Sequence, residues 1–293
     1  MKTSLSHLSL ENQQELSDIV TRIKSIAMPE KIILFGSYAT GKNVNDQYTK
    51  EDTRYDYVSD YDILILYKDT DLEYYEIEDK ILQTYEYKAP LSLIILHIDA
   101  INNQLKVGDY FLEEMLENGV LLYDSGSSTF VTPQKLTKEE KLDKVKADFE
   151  FYFSNGSKFL RHAKIELDDS RKEEVSPNLA AYFLHQATES FYSMMLLVYS
   201  GYKPKAHNLD KFRKLIKQLA VEITEVFPIV EKDRHELYLF DLMKRAYISA
   251  KYKRSFVVSY QDVEELLQRV AHLREITKLL CDSKIESIQN SNL

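Results

Sequence analysis

Tryptophan is absent from this 293-residue chain, and cysteine occurs once, at Cys281. A single thiol excludes an intrachain disulfide and any zinc site built from cysteines. No uninterrupted apolar run approaches the roughly twenty residues of a membrane span. The opening MKTSLSHLSLENQQE lacks the basic-then-apolar plan of a secretory signal. Together these absences predict a cytoplasmic protein with no membrane partner. With 21 tyrosines and 13 phenylalanines, aromatic packing must rest on those two residues, and many phenolic hydroxyls need a partner or solvent.

Charge is uneven along the chain. Residues 1–130 hold 11 Lys+Arg against 23 Asp+Glu, whereas the remainder holds 27 against 24. Excess carboxylate in the first part suits a cation-loaded site, and it equally serves solubility. It argues against that part gripping nucleic acid unaided, because phosphate backbones are bound by clustered Lys and Arg.

Hydrophobic periodicity divides the chain into two kinds of structure. An amphipathic helix is expected over residues 8–28, with Leu10, Leu16, Ile19, Val20, Ile23 and Ile26 near helical spacing. Strands are expected over 31–35, 61–67, 91–98 and 120–123. Helices are expected over 72–87, 101–106 and 109–118, with Gly119 as a C-cap. Residues 124–133, DSGSSTFVTP, read as a hinge. Beyond it the pattern predicts five helices, over 138–167, 178–200, 209–226, 230–251 and 260–281, joined by short connections such as the one carrying Gly201 and Pro204. Ser176 and Pro177 start the second of these, and the tail SIQNSNL is expected to fray. The expected fold is α+β: a mixed sheet with helices over residues 1–130, followed by an all-α bundle over 131–293.

The chemistry lies between Ile32 and Leu66. Gly36 and Ser37 end the apolar run IILF where the backbone must turn, so amides and a hydroxyl can approach a polyphosphate without an intervening Cβ. Asp60 and Asp62 sit two apart on a strand, which sends both carboxylates to one face, close enough to share divalent cations. Mg²⁺ suits such a pair, since it takes one or two protein carboxylates together with substrate phosphates. Lys42, one residue past Gly41, either reaches the triphosphate or is a plain surface lysine.

FGSYATG followed by SDYDILIL resembles the nucleotidyltransferase superfamily that includes DNA polymerase beta, and more closely its minimal and kanamycin-type members. The resemblance implies two-metal transfer of NMP from an NTP donor to a hydroxyl of a small molecule or protein. It makes Asp60 and Asp62 the metal ligands and gives Gly36, Ser37 and Lys42 to the nucleotide. It also implies a third carboxylate on a later strand, yet residues 91–98 hold no acid and Asp99 only follows them. In the kanamycin-type enzymes the general base stands on the first helix of the helical domain, and Glu150 is the corresponding candidate here. A homodimer is a further expectation of the resemblance. The stretch between Gly41 and Asp60 is longer than the usual family loop and reads as an inserted hairpin or flap, or as surface loop.

The second part, through AAYFLHQATESFYSMMLLVYSGYKPKAHNLDKF and LMKRAYISAKY, resembles the HEPN domain. Many members cut RNA with an Arg-x4-6-His motif, but no Arg of this chain has a His at that spacing, and Lys251 stands where the AKY segment would carry an Arg. The ribonuclease reading is therefore disfavoured. His185 is expected as a core histidine with one satisfied nitrogen, His207 as a loop or helix-entry residue, and Tyr247 and Tyr252 as core aromatics rather than nucleotide acceptors. The alternative to an enzyme is a catalytically degenerate nucleotide-binding, partner-binding module of a toxin-antitoxin or regulatory system.

Overall fold

The structure, a computed structural model, describes residues 1–43, 45–50, 53–203, 207–228 and 233–290. Pro204, the start of the helix expected from residue 230, and the end of the tail lie outside the described residues. The chain forms two compact units, Met1–Leu136 and Thr137–Leu293.

In the first unit, α1 (Leu10–Ala27) begins at Ser9, whose hydroxyl accepts the amide of Asn12. Its stripe Leu16, Ile19, Ile23 and Ala27 is buried, whereas Leu10, expected in that stripe, lies on the outward side of the first turn and is exposed. Four strands follow as a sheet in the order β5-β4-β1-β6, namely β1 (Lys31–Phe35), β4 (Tyr61–Tyr67), β5 (Leu91–His97) and β6 (Val120–Asp124). Strand β1 runs antiparallel to β4 and β6, and β4 runs parallel to β5. The parallel pair needs a crossover, which α3 (Tyr74–Gln83) supplies. This helix is shorter than the sequence suggests, because a capping box between Glu73 and Glu76 fixes its start and Thr84 its end.

Strand alternation splits the core. Ile32, Leu34, Tyr61, Ile63, Ile65 and Leu93 join α1 and α3 in one apolar cluster. The opposite face carries Ile33, Phe35, Asp62 and Leu64. Phe35 meets Phe111 of α5 (Tyr110–Asn118) edge-on at 6.1 Å. Both faces are covered, which is why the strand at residues 61–66 is buried throughout. Gly119 does cap α5, but with φ −71°; glycine is needed because a side chain would collide with Met115 O and the Ile33 side chain. The long stretch after Gly41 forms an antiparallel hairpin, β2 (Asn45–Lys50) with β3 (Thr53–Val58).

The segment after β6 is strapped down rather than loose. Ser125 and Ser128 donate to Glu30, the amide of Val131 donates to Asn102, and that of Gln134 donates to Leu105 O. Leu136 packs on Gly108. These bonds carry the first unit past Phe130 to Leu136.

The second unit is helical: α6 (Lys138–Lys172), α7 (Asn178–Ser200), α8 (Leu209–Leu219), α9 (Arg234–Tyr252) and α10 (Tyr260–Asn290). Helices α6 and α10 outrun their expected ends. The single helix expected over 209–226 breaks at Ala220, which is extended, and continues as a 3-10 turn, Val221–Glu225, rich in β-branched residues. Helix α7 is the buried centre, with Phe191, Tyr192, Met194 and Met195 fully enclosed. Among the described residues no helix is long and apolar enough to cross a membrane.

Candidate functional site

Strand β1 ends at Phe35, the Cα partner of Asp62, and the chain turns at Gly36 into the short helix α2 (Gly36–Thr40). Gly36 has φ +72°, a conformation that L side chains rarely adopt. A Cβ there would overlap the carboxylate of Asp62, standing 3.1 Å from its Cγ. Two independent constraints therefore require glycine. Gly41, also at φ +72°, closes α2 with its amide on Ser37 O, and the Lys42 amide donates to the same carbonyl at 2.9 Å. Gly36 and Lys42 are exposed, and Ser37 is half-buried.

Asp62 is only 1 % exposed, and Asp60, one residue before the strand, is half-buried. The structure thus brings Gly36 against Asp62 and sets Ser37 next to Gly36, with Asp60 two residues from Asp62. On the other side of β4, the residue in register with Asp62 is Ser92 of β5, and no acid occupies that strand. Asp99 lies in the first turn of α4 (Ile98–Lys106), with its side chain exposed beside His97. Among the described residues no three His, Cys, Asp or Glu side chains group as a ready-made metal site. A carboxylate pair beside a side-chain-free turn is nevertheless a donor set that fits Mg²⁺, whose remaining ligands come from phosphates and water.

The residue between the aspartates was missed from sequence. Tyr61 is wholly buried on the opposite face, where its hydroxyl donates to Glu15 Oε2 at 2.7 Å and accepts from Asn12 Nδ2 at 2.7 Å. Its ring packs on Tyr38 of α2, centroids 4.3 Å apart. Burial, and then the bond to Glu15, push the Tyr61 hydroxyl pKa upward, which keeps it a donor. A signal existed: Asn12 and Glu15 continue the stripe of Leu16, Ile19 and Ile23 with polar residues.

Glu150 lies exposed on α6 of the second unit. Elsewhere in that unit, His185 is 1 % exposed and its Nδ1 bonds Met243 O at 3.1 Å. Its Nε2 stands 3.5 Å from Glu189 Oε2, an ion-pair distance that leaves the nitrogen without a hydrogen bond. Exposed His207 bonds the same carboxylate at 2.9 Å. The Tyr247 ring is stacked between the two imidazoles, 4.9 Å from each. A cleft of about 450 Å³ opens here, lined by His185, His207, Asp210, Lys244, Tyr247 and Lys253 among others. Tyr252 corrects the expectation of a core aromatic. It ends α9, is 76 % exposed, and meets Lys251 above its ring. Among the described residues neither histidine bonds an arginine.

A glycine turn held against a buried aspartate on a mixed sheet is the arrangement that the resemblance to the nucleotidyltransferases implies. Residues 14–127 match the family described as polymerase beta, nucleotidyltransferase, and residues 149–280 match the HEPN domain. The chain is a polymerase beta-type nucleotidyltransferase domain followed by a HEPN domain. No curated protein matches it.

Proposed function

We propose that the protein is a Mg²⁺-dependent nucleotidyltransferase that moves NMP from an NTP to a hydroxyl of a small molecule or protein. The observation that supports this reading most is the shared space of Gly36 and Asp62, which sets the Asp62 carboxylate directly against the exposed Gly36 turn. Asp60 and Asp62 hold Mg²⁺. When bound, the ion offsets charge on phosphate oxygens and favours ionisation of the attacking hydroxyl. The Ser37 hydroxyl and the amides of the turn hold the outer phosphates, with Lys42 beside them. The acceptor oxygen forms its bond to the α-phosphorus as the bond to pyrophosphate breaks, and the acceptor proton passes to water.

The test is transfer of label from α-labelled NTPs, with Mg²⁺, to acceptors in a cell extract. The wild type is expected to label an acceptor, and Asp60→Asn with Asp62→Asn to lose at least about 10²-fold in rate. Labelling unchanged by loss of both aspartates would overturn the proposal. A second reading is favoured by the lack of any acid on β5, where Ser92 is in register with Asp62: a degenerate nucleotide-binding module. Mg²⁺-assisted NTP binding without turnover on any acceptor selects it.

A further inference from the structure

Asp60 and Asp62 flank a residue whose side chain does no chemistry in the reaction proposed above, yet is tied to α1. Tyr61 is wholly buried and reaches α1 through two hydrogen bonds of 2.7 Å, one to Glu15 and one from Asn12. Asn12 is itself oriented, since its Oδ1 accepts from the Ser9 hydroxyl at 2.7 Å and so its amide nitrogen faces Tyr61. The bonds run in one direction, Ser9 to Asn12 to Tyr61 to Glu15, an arrangement in which each strengthens the next. The tyrosine backbone is paired as well, with its amide on Pro90 O at 2.8 Å.

The ring adds a second connection. Tyr61 packs against Tyr38, two residues beyond Gly36, with centroids 4.3 Å apart and planes inclined at 41°. One side chain therefore touches the helix that carries the glycine turn, belongs to the strand that starts between the two carboxylates, and is bonded to the helix behind both. Because Cβ directions alternate along the chain, fixing Tyr61 on one face fixes where Asp60 and Asp62 emerge on the other.

We propose that Tyr61, anchored by Asn12 and Glu15, is a positioning residue that holds the two aspartates and the Gly36 turn in register for Mg²⁺-NTP. The inference rests on the nucleotidyltransferase reading.

Tyr61→Phe in the full chain keeps the ring and deletes the hydroxyl. Tyr87→Phe is the control, because it also removes a tyrosine bond to α1, the 2.9 Å bond to Asp18, from a residue outside the sheet. The first readout is amide hydrogen exchange without ligand. Tyr61→Phe is expected to speed exchange at residues 60–62 and 36–38 about three- to tenfold, the range one lost hydrogen bond commands, and Tyr87→Phe is not. The second is the Mg²⁺ concentration that half-saturates the thermal shift produced by an NTP. It is expected to rise by a similar factor in Tyr61→Phe and to stay unchanged in Tyr87→Phe. Glu15→Ala, on the half-buried flank of α1, is expected to move both readouts the same way and serves if Tyr61→Phe does not fold.

Unaltered exchange at both segments, or equal effects from the control, would overturn the inference. A wild type with no Mg²⁺-dependent NTP shift would instead overturn the parent reading, and the ligand-linked role with it, even where exchange responds.

Discussion

Gly36 and Asp62 occupy one space: the position that a side chain on Gly36 would take is filled by the Asp62 carboxylate. Gly41 has the same φ, +72°, but its nearest neighbour to a Cβ would be His7 Cδ2 at 3.5 Å, an ordinary contact. The two glycines therefore separate backbone strain from steric exclusion. Gly41→Ala is expected to cost about 1–2 kcal/mol of stability and to retain Mg²⁺-NTP binding. Gly36→Ala is expected to cost more than this and to abolish that binding, since the carboxylate must move. Thermal unfolding and titration calorimetry on both variants check the contrast.

Gly156 offers a parallel case in the helical unit. A helix-interior glycine normally gains up to about 1 kcal/mol on replacement by alanine. On α6, however, a Cβ at this position would stand 2.6 Å from Cε1 of Phe191, a fully buried ring of α7. Gly156→Ala is expected to destabilise by about 1–3 kcal/mol despite its helix propensity. Denaturant titration measures the sign directly, and a stabilised variant would show that Phe191 yields.

Glu189 links pH to stability. Burial opposes its ionisation, but His185 and His207 together outweigh that and hold its pKa below the usual glutamate value. A carboxyl with a depressed folded pKa contributes its full stability above the unfolded pKa, and that contribution is lost as pH falls through the folded value. The stability advantage of wild type over Glu189→Gln is expected to be about 1–3 kcal/mol at neutral pH and to shrink steadily below roughly pH 4.5. Melting curves of the two proteins across that window test it. A gap that stays constant would remove the histidine-carboxylate cluster as its source.

The architecture was legible where one period dominated. Strands β1 and β4 are short apolar runs bounded by glycine or acidic residues, and α7 is apolar almost all round, so each declared its type. The helix expected over 209–226 was read through Ala220 because apolar spacing continued while the backbone did not. Tyr252 reads as a core aromatic in the sequence, yet it falls on the last turn of α9 with 76 % exposure. At the candidate site, Gly36, Ser37, Asp60 and Asp62 were visible as a local pattern. Asn12, Glu15 and Tyr38 were not, because their meeting with Tyr61 joins elements far apart in the chain. The register of Asp62 with Ser92 was equally out of reach, since pairing between strands is set by the fold.

Strand β1 lies between β4 and β6, and the last of these is made some ninety residues later, with Lys31 bonded to Asp124 across that interval at 2.6 Å. Such long-range closure is slow relative to helix formation and waits for loop entropy to be overcome. During synthesis the glycine turn at the end of β1 thus gains its second flanking strand only after Val120–Asp124 has left the ribosome. The edge that carries the Gly36 turn is completed only then, and truncations before residue 124 are expected to leave β1 without its β6 neighbour.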